Sequence, residues 1–341
     1  MRTVADLRTR LEDAGALPVH VRRLLRAWLE GRGFEEIPRR RGRTPRRSRR
    51  LQEALPTIAS ELHALVTPVA SEDGADGSRR HVLRLGSGQT LECVDLPRGG
   101  LCVSTQVGCA VGCRFCRTGE DGLLQQVSPL EILAQVARAR TERSVRRVVF
   151  MGMGEPAHNL DAVEETIDTL GREGGFGHKE LVFSTVGDPP VFDRLARGRV
   201  KPALALSLHT LDAAAREDLL PRAPRADPAD LLDAGLRYSE RVGYPLQIQW
   251  TLLAGYNDDL ETADALAKRL DGRRAIVNYI PFNPVEGSGF DRPAVERCVA
   301  LVRRLRRHGV IATLRFSAGQ EVEGGCGQLR SRLSGGTSRF R

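Results

Sequence analysis

Leu101-Cys102-Val103-Ser104-Thr105-Gln106-Val107-Gly108-Cys109-Ala110-Val111-Gly112-Cys113-Arg114-Phe115-Cys116 joins an apolar run to a tight group of cysteines. The run at 101–107 has the composition of a buried strand. The group Cys109, Cys113 and Cys116 has the spacing C-x3-C-x2-C. Three thiolates on one short loop can hold three irons of a [4Fe–4S] cube and leave the fourth iron open. An open iron can bind and cleave a small molecule, so the loop points to redox chemistry. Phe115, just before the last cysteine, is placed to shield such a cube from water. Zinc and buried free thiols are the alternatives. Structural zinc takes four ligands, usually as two short pairs, and no fourth Cys or His lies nearby in sequence.

From residue 99 onward the pattern is strand, loop, helix, repeated. Apolar runs recur at 101–107, 147–151, 181–184, 203–206, 246–252, 275–280 and 310–315. Amphipathic helical stretches lie between them, among others 129–140, 160–172, 228–242, 260–270 and 293–308. This alternation predicts parallel strands with right-handed crossovers. About six units predict an α/β fold built as an open, partial (β/α)6 barrel, with chemistry on the loops after the strands. Ahead of it, 81–85 and 90–96 read as a β-hairpin turning at Gly86-Ser87-Gly88, and 66–78 as a turn-rich connector. Helical spacing of Leu7, Leu11, Leu24, Leu25 and Trp28, and of Leu51, Leu55, Ile58 and Leu62, makes 1–65 a small helical domain. The expected organisation is therefore 1–65 as a basic accessory domain, 66–98 as connector and hairpin, 99–316 as the barrel and 317–341 as a tail.

With 341 residues, 41% of them hydrophobic, the chain can bury a large core. Seven cysteines is an odd number, three of them in one loop, which argues against a secreted disulfide framework. Charges every few positions through 1–13 leave no signal peptide, and no run reaches the length needed to span a bilayer. A reduced cytoplasm is the expected location, with no membrane partner. The net charge of +9 is concentrated: residues 1–50 hold fifteen Arg against six Asp and Glu. Arg39, Arg40, Arg41, Arg43, Arg46, Arg47, Arg49 and Arg50 form a dense block suited to phosphate, which makes RNA or DNA the expected partner of this arm.

Gly152-Met153-Gly154-Glu155-Pro156 follows the second barrel strand. Its glycines free backbone groups to approach a ligand, and Glu155 can grip an ammonium. Paired with the cysteine loop one strand earlier, it resembles the radical S-adenosylmethionine superfamily. Farther along stand Asn159-Leu160, Ser184-Thr185 with Gly187, Ser207-Leu208-His209, Asn257-Asp258, Ile280-Pro281 with Asn283-Pro284, and Cys326-Gly327-Gln328-Leu329. Together with residues 102–109, these resemble the RlmN/Cfr family of RNA adenine methyltransferases, over roughly two-thirds of the chain.

That resemblance implies a [4Fe–4S] cluster on Cys109, Cys113 and Cys116, and S-adenosylmethionine bound by Gly154, Glu155, Ser184, Ser207, Leu208, His209 and Asn283. It implies that Cys326 receives a methyl group and that a 5′-deoxyadenosyl radical takes a hydrogen from it. The methylene radical then adds to an adenine carbon, C2 rather than C8, in 23S rRNA or tRNA. Cys102 resolves the adduct through a transient disulfide with Cys326, and Glu92 acts as proton acceptor. A flavodoxin or ferredoxin is the implied electron donor. C2 and C8 of adenine are electron-poor, so direct attack on a sulfonium methyl fails, and a sulfur-tethered radical avoids the problem. A radical enzyme acting on a peptide or metabolite, and a zinc-dependent RNA-binding module, are the competing readings. The family's Asp-Ile-x-Ala-Ala run is replaced here by Gln320-Glu321-Val322-Glu323-Gly324-Gly325, which predicts a more flexible tail, and Phe282 stands where tryptophan is common. Cys93 and Cys298 read as core, and Asn257-Asp258 as the cap of the helix near Leu260.

Overall fold

The computed structural model describes residues 1–36 and 46–330. Arg39, Arg40, Arg41 and Arg43 of the arginine block lie outside the described residues. Helices α1 (Val4–Asp13), α2 (Pro18–Leu29) and α3 (Arg49–His63) come first. Thr3 and Ser48 cap α1 and α3 by accepting the backbone N–H of Asp6 and Leu51. The apolar stripe of the three helices, including Leu7, Leu25, Leu51 and Ile58, belongs to the same buried cluster as the sheet. Val4 donates its N–H to Glu165 at 2.8 Å, one of the bonds that fasten these helices down.

The strands β1 (Val66–Asp73), β2 (Arg79–Leu85), β3 (Thr90–Leu96) and β4 (Gly100–Cys102) follow, each antiparallel to the next. The expected hairpin is β2–β3, turning at residues 86–89. Residues 66–73, expected as connector, are instead an edge strand. Only Val66 of β1 is buried, so the run has no apolar period to read. Pairing with β2 and ion pairs from Arg79 to Asp73 and Arg80 to Glu72 define it instead.

The single strand expected at 101–107 is also two. After β4 the chain leaves the sheet, and β5 (Gln106–Gly108) pairs antiparallel with β6 (Leu123–Gln126) in a small separate sheet. Polar side chains replace ladder bonds at the break. Ser104 Oγ donates to the Glu92 carbonyl and accepts from the Met153 N–H, while Gln135 bonds both backbone groups of Ser104. The break throws residues 109–118 outward from the strand end.

Then α4 (Pro129–Glu142), β7 (Arg147–Phe150), α5 (Leu160–Arg172), β8 (Leu181–Thr185), α6 (Pro189–Arg197), β9 (Ala203–Ser207), α7 (Ala213–Leu219), α8 (Pro228–Val242), β10 (Leu246–Leu252), α9 (Leu260–Arg269), β11 (Ala275–Pro281), α10 (Val295–Arg307) and β12 (Ile311–Leu314) complete the fold. β4, β7, β8, β9, β10, β11 and β12 are parallel neighbours in that order, each crossover adding one strand to the same edge. The result is a mixed α/β fold with a mostly parallel ten-stranded sheet whose edges are β1 and β12. The tail after β12 runs back to the other edge, where Gly319 donates its N–H to Asp76 in the β1–β2 turn at 2.9 Å. No helix among the described residues is long and apolar enough to cross a membrane.

Candidate functional site

The carboxyl ends of β7 to β12 surround a cleft of about 950 Å³ of empty volume. One wall is the loop bearing Cys109, Cys113 and Cys116, and another is the tail at Cys326-Gly327. Because six consecutive strand ends line one cleft, the sheet must curve around it. Gly154, Glu155, Ser184, Ser207 and His209 also line it.

The cysteine loop is set by Gly108. Its φ is +74°, and a Cβ there would stand 2.0 Å from the carbonyl oxygen of Gly122, which accepts the Cys109 N–H at 2.8 Å. On the outer side, α7 cups the loop. Arg114 donates its N–H to the Leu219 carbonyl and Arg222 to that of Val111. Leu219 and Leu220 pack with Val111, Phe115, Val186 and Phe282 in a second apolar cluster. Phe115 is buried and meets the His209 ring edge-on at 4.9 Å.

Burial pushes the Cys109 thiol up to about 12 and raises those of Cys113 and Cys116, and each sulfur makes ionisation of its neighbours harder. Three thiolates in so dry a site need a partner that brings its own positive charge. Among the described residues no three His, Cys, Asp or Glu side chains draw together closely enough to share one ion. Three thiols on one loop lining the cleft are a donor set that fits an iron–sulfur cube held by Cys109, Cys113 and Cys116.

Glu155 is buried, and burial raises its pKa against the pull of two backbone N–H donors, Val186 at 2.9 Å and Ala157 at 3.0 Å. Its own N–H donates to Gln106. His209 adopts φ +64°, a conformation uncommon outside glycine. Its Nδ1 accepts the Thr251 N–H at 3.0 Å, and burial, then the nearby Arg216 charge, push its pKa down to about 3. The ring is neutral with its proton on Nε2. Asn257 does not cap α9; Asp259 does. Asn257 is buried and donates to the carbonyls of His209 and Thr251, so it braces the His209 turn. Leu208 lies in the core and does not line the cleft.

A second cavity of about 570 Å³ adjoins the first and holds Cys102. Cys326 and Arg315 line both. Asn283 lines neither. Its Nδ2 donates to the Cys326 carbonyl at 2.9 Å and to Ser317 Oγ at 3.0 Å, tying down the tail. Arg117 N–H and Thr118 Oγ1, just after Cys116, donate to the carbonyls of Gly327 and Leu329 at 2.8 and 2.6 Å. Gly325 packs closely, since a Cβ there would come within 2.6 Å of Gln328 Oε1 and 2.9 Å of Asn283 Nδ2. The tail segment expected to be flexible is thus docked on the cysteine loop. Cys102 and Cys326 are both free thiols, so the structure carries no disulfide between them; Cys93 and Cys298 are buried among core residues. Glu92 is fully buried on β3. Its carboxylate accepts from Arg80 at 3.0 Å and from the Arg330 N–H at 3.3 Å, and it lines neither cavity.

Two site residues carry no motif. Arg216 on α7 is buried and donates to the carbonyls of Ser207, Leu208 and Val186, clamping the loops after β8 and β9. Gln249 lines the cleft with both amide atoms buried and unpaired among the described residues. A lone Arg in a helix or Gln in a strand gives sequence reasoning no signal.

Residues 103–266 match the Radical SAM superfamily. The chain is 54% identical over 336 residues to a "Probable RNA methyltransferase" of Pseudomonas aeruginosa, covering 98% of this chain and 97% of that protein. The chain belongs to the radical SAM superfamily. A second relative so named, from Thiobacillus denitrificans, is 56% identical over 327 residues, 96% of this chain and 90% of its own length. The crystal structure of a radical SAM methyltransferase from Sphaerobacter thermophilus superposes with a TM-score of 0.81 at 33% identity, covering 96% of this radical SAM chain and 97% of that one.

Proposed function

We propose that this radical SAM chain is a dual-cysteine RNA methyltransferase of the RlmN/Cfr type, acting on an adenine at C2 rather than C8. Its target is 23S rRNA, with tRNA as the second candidate. The observation that carries this reading is Cys326, which stands in the wall between the cavity of the cysteine loop and the cavity of Cys102. The names of the Pseudomonas and Thiobacillus relatives support an RNA substrate.

The bound cluster and S-adenosylmethionine supply a methyl group and, with one electron from a flavodoxin or ferredoxin, a carbon-centred radical. The chain's own residues do the remainder. Glu155 and His209 hold the ligand in the cleft, with Gly154, Ser184 and Ser207 beside them, while Phe115 excludes water. Cys326 carries the one-carbon unit to the base, which must leave its stack to reach it. Cys102 attacks the Cys326 sulfur to release the product. Glu92 lies under the tail at Arg330, and a tail that swings aside uncovers it as the proton acceptor. The chemistry needs reduced thiols, which fits a cytoplasmic site of action.

Purification without oxygen, followed by peptide mass spectrometry, is expected to find a methylthioether at Cys326. Unmodified Cys326 in protein that holds a full cluster and S-adenosylmethionine overturns the reading. Nucleoside analysis of rRNA and tRNA from a deletion strain identifies the base and carbon.

A further inference from the structure

The second cavity contains one charged side chain, Arg315 at the end of β12. Arg315 is half-buried, lines both cavities, and its guanidinium has no hydrogen-bond or ion-pair partner among the described residues. A half-buried guanidinium with no protein partner is free to hold an anion that forms beside it. The remaining wall is apolar or neutral, apart from the thiols of Cys102, Cys116 and Cys326. On β3, beside β4, Glu92 and Asp95 already pair with Arg80 and with His81 and Arg143, so neither serves Arg315.

We propose that Arg315 is the positioning residue that makes Cys102 a nucleophile, by holding its thiolate in the second cavity. This rests on the dual-cysteine reading above. Burial, then the neighbouring Cys326 sulfur, push the Cys102 thiol up to about 12; a backbone hydrogen bond with Met151 opposes them, and after it the Arg315 charge, the one cation that does. A neutral buried thiol does not attack a sulfur. The step served is balanced as follows. The Cys102 thiolate bonds to the Cys326 sulfur, the bond from that sulfur to the methylene on the base breaks, and its electron pair stays with carbon. The carbon takes a proton and becomes the methyl group. The two cysteines are oxidised to a disulfide, which an external dithiol reduces before the next turnover.

The test uses the full-length, cluster-loaded protein in a Cys326→Ala background. The rate at which iodoacetamide labels Cys102 at pH 8 is read by tandem mass spectrometry. Arg315→Met is expected to slow labelling about tenfold, and Arg315→Lys to restore most of it. An unchanged rate in Arg315→Met overturns the proposal. So does a fall that Lys fails to rescue, because that marks a purely structural role. With Cys326 present and RNA added, Arg315→Met is expected to keep its Cys326 methylthioether and to accumulate RNA linked to Cys326. Loss of the methylthioether together with weakened S-adenosylmethionine binding overturns it in favour of Arg315 holding the ligand carboxylate. If Cys102→Ala accumulates no adduct either, the dual-cysteine reading fails, and the labelling arm still decides whether Arg315 governs Cys102.

Discussion

The cysteine loop and the tail face each other across the same cleft, and they are held in opposite ways. The loop is part of a packed body, with apolar side chains of α7 behind it and backbone bonds to Gly122 and Leu219. The tail is held by polar bonds with Asn283, Arg117, Thr118, Asp76 and Glu92 and by the buried Val322 and Leu329, and it presents Cys326 as an exposed thiol. A packed loop suits a group that must not move. A segment held largely by separate hydrogen bonds, each worth about 1 kcal/mol net, can be lifted by a ligand that competes for them. Under the proposed function, the difference separates a fixed cofactor cradle from a movable carrier.

The most severe way to break this contrast is Cys113→Ala. Anaerobically reconstituted protein is expected to lose its visible absorbance and bound iron, and to form no 5′-deoxyadenosine from S-adenosylmethionine. If it keeps a stable three-ligand cluster on other residues, the cradle has been misplaced. Gly108→Val attacks the backbone instead. The added Cβ meets the Gly122 carbonyl at 2.0 Å in a left-handed conformation, at a cost of roughly 1–3 kcal/mol from the conformation alone. Thermal melting is expected to fall, and cluster content with it. The equivalent change at the open Gly175, where a Cβ meets nothing within 4 Å, is expected to leave the cluster intact.

His209 sharpens the comparison from the loop's side, because it packs on Phe115. Its folded pKa of about 3 lies below the ordinary 6.5. Between those values the unfolded chain binds a proton that the folded chain refuses. Stability from this residue is therefore full above pH 6.5 and is lost progressively as pH falls toward 3. His209→Gln is expected to flatten the acid side of the denaturant-midpoint profile; an unchanged slope means that other groups set it.

How much of this was legible in the sequence depended on whether a residue's partner lay along the chain or across it. The parallel strands from β7 to β12 were readable because mostly apolar runs alternate with amphipathic helical stretches. β1 was not, since an edge strand with one buried residue has no pattern, and neither was the break at Ser104, where Gln135 and Glu92 arrive from other elements. In the site, the cysteine spacing and Gly154-Glu155 are local signals. Arg216, Gln249 and Arg315 matter through what surrounds them in space. Asn283 was noticed for its motif, yet its amide faces the tail.

The smallest expected effect tests the tail's hold directly. Thr118→Val removes the Oγ1 bond to the Leu329 carbonyl with almost no change in volume, and Asn283→Leu removes the bonds to Cys326 and Ser317. Thr118→Val is expected to cost about 1 kcal/mol of tail docking, which raises the undocked fraction about fivefold, and Asn283→Leu, with two tail bonds lost, about 2 kcal/mol, or about thirtyfold. Because Asn283 makes no bond to the cysteine loop, iron content and the cluster spectrum of Asn283→Leu are expected to stay at the parent's level, whereas Thr118 also bonds the Cys116 sulfur and its loss acts on loop and tail together. Proteolysis within the tail is expected to speed up by the same factors. Should Asn283→Leu strip the cluster instead, the tail is part of the cradle, and the division between fixed loop and movable carrier disappears.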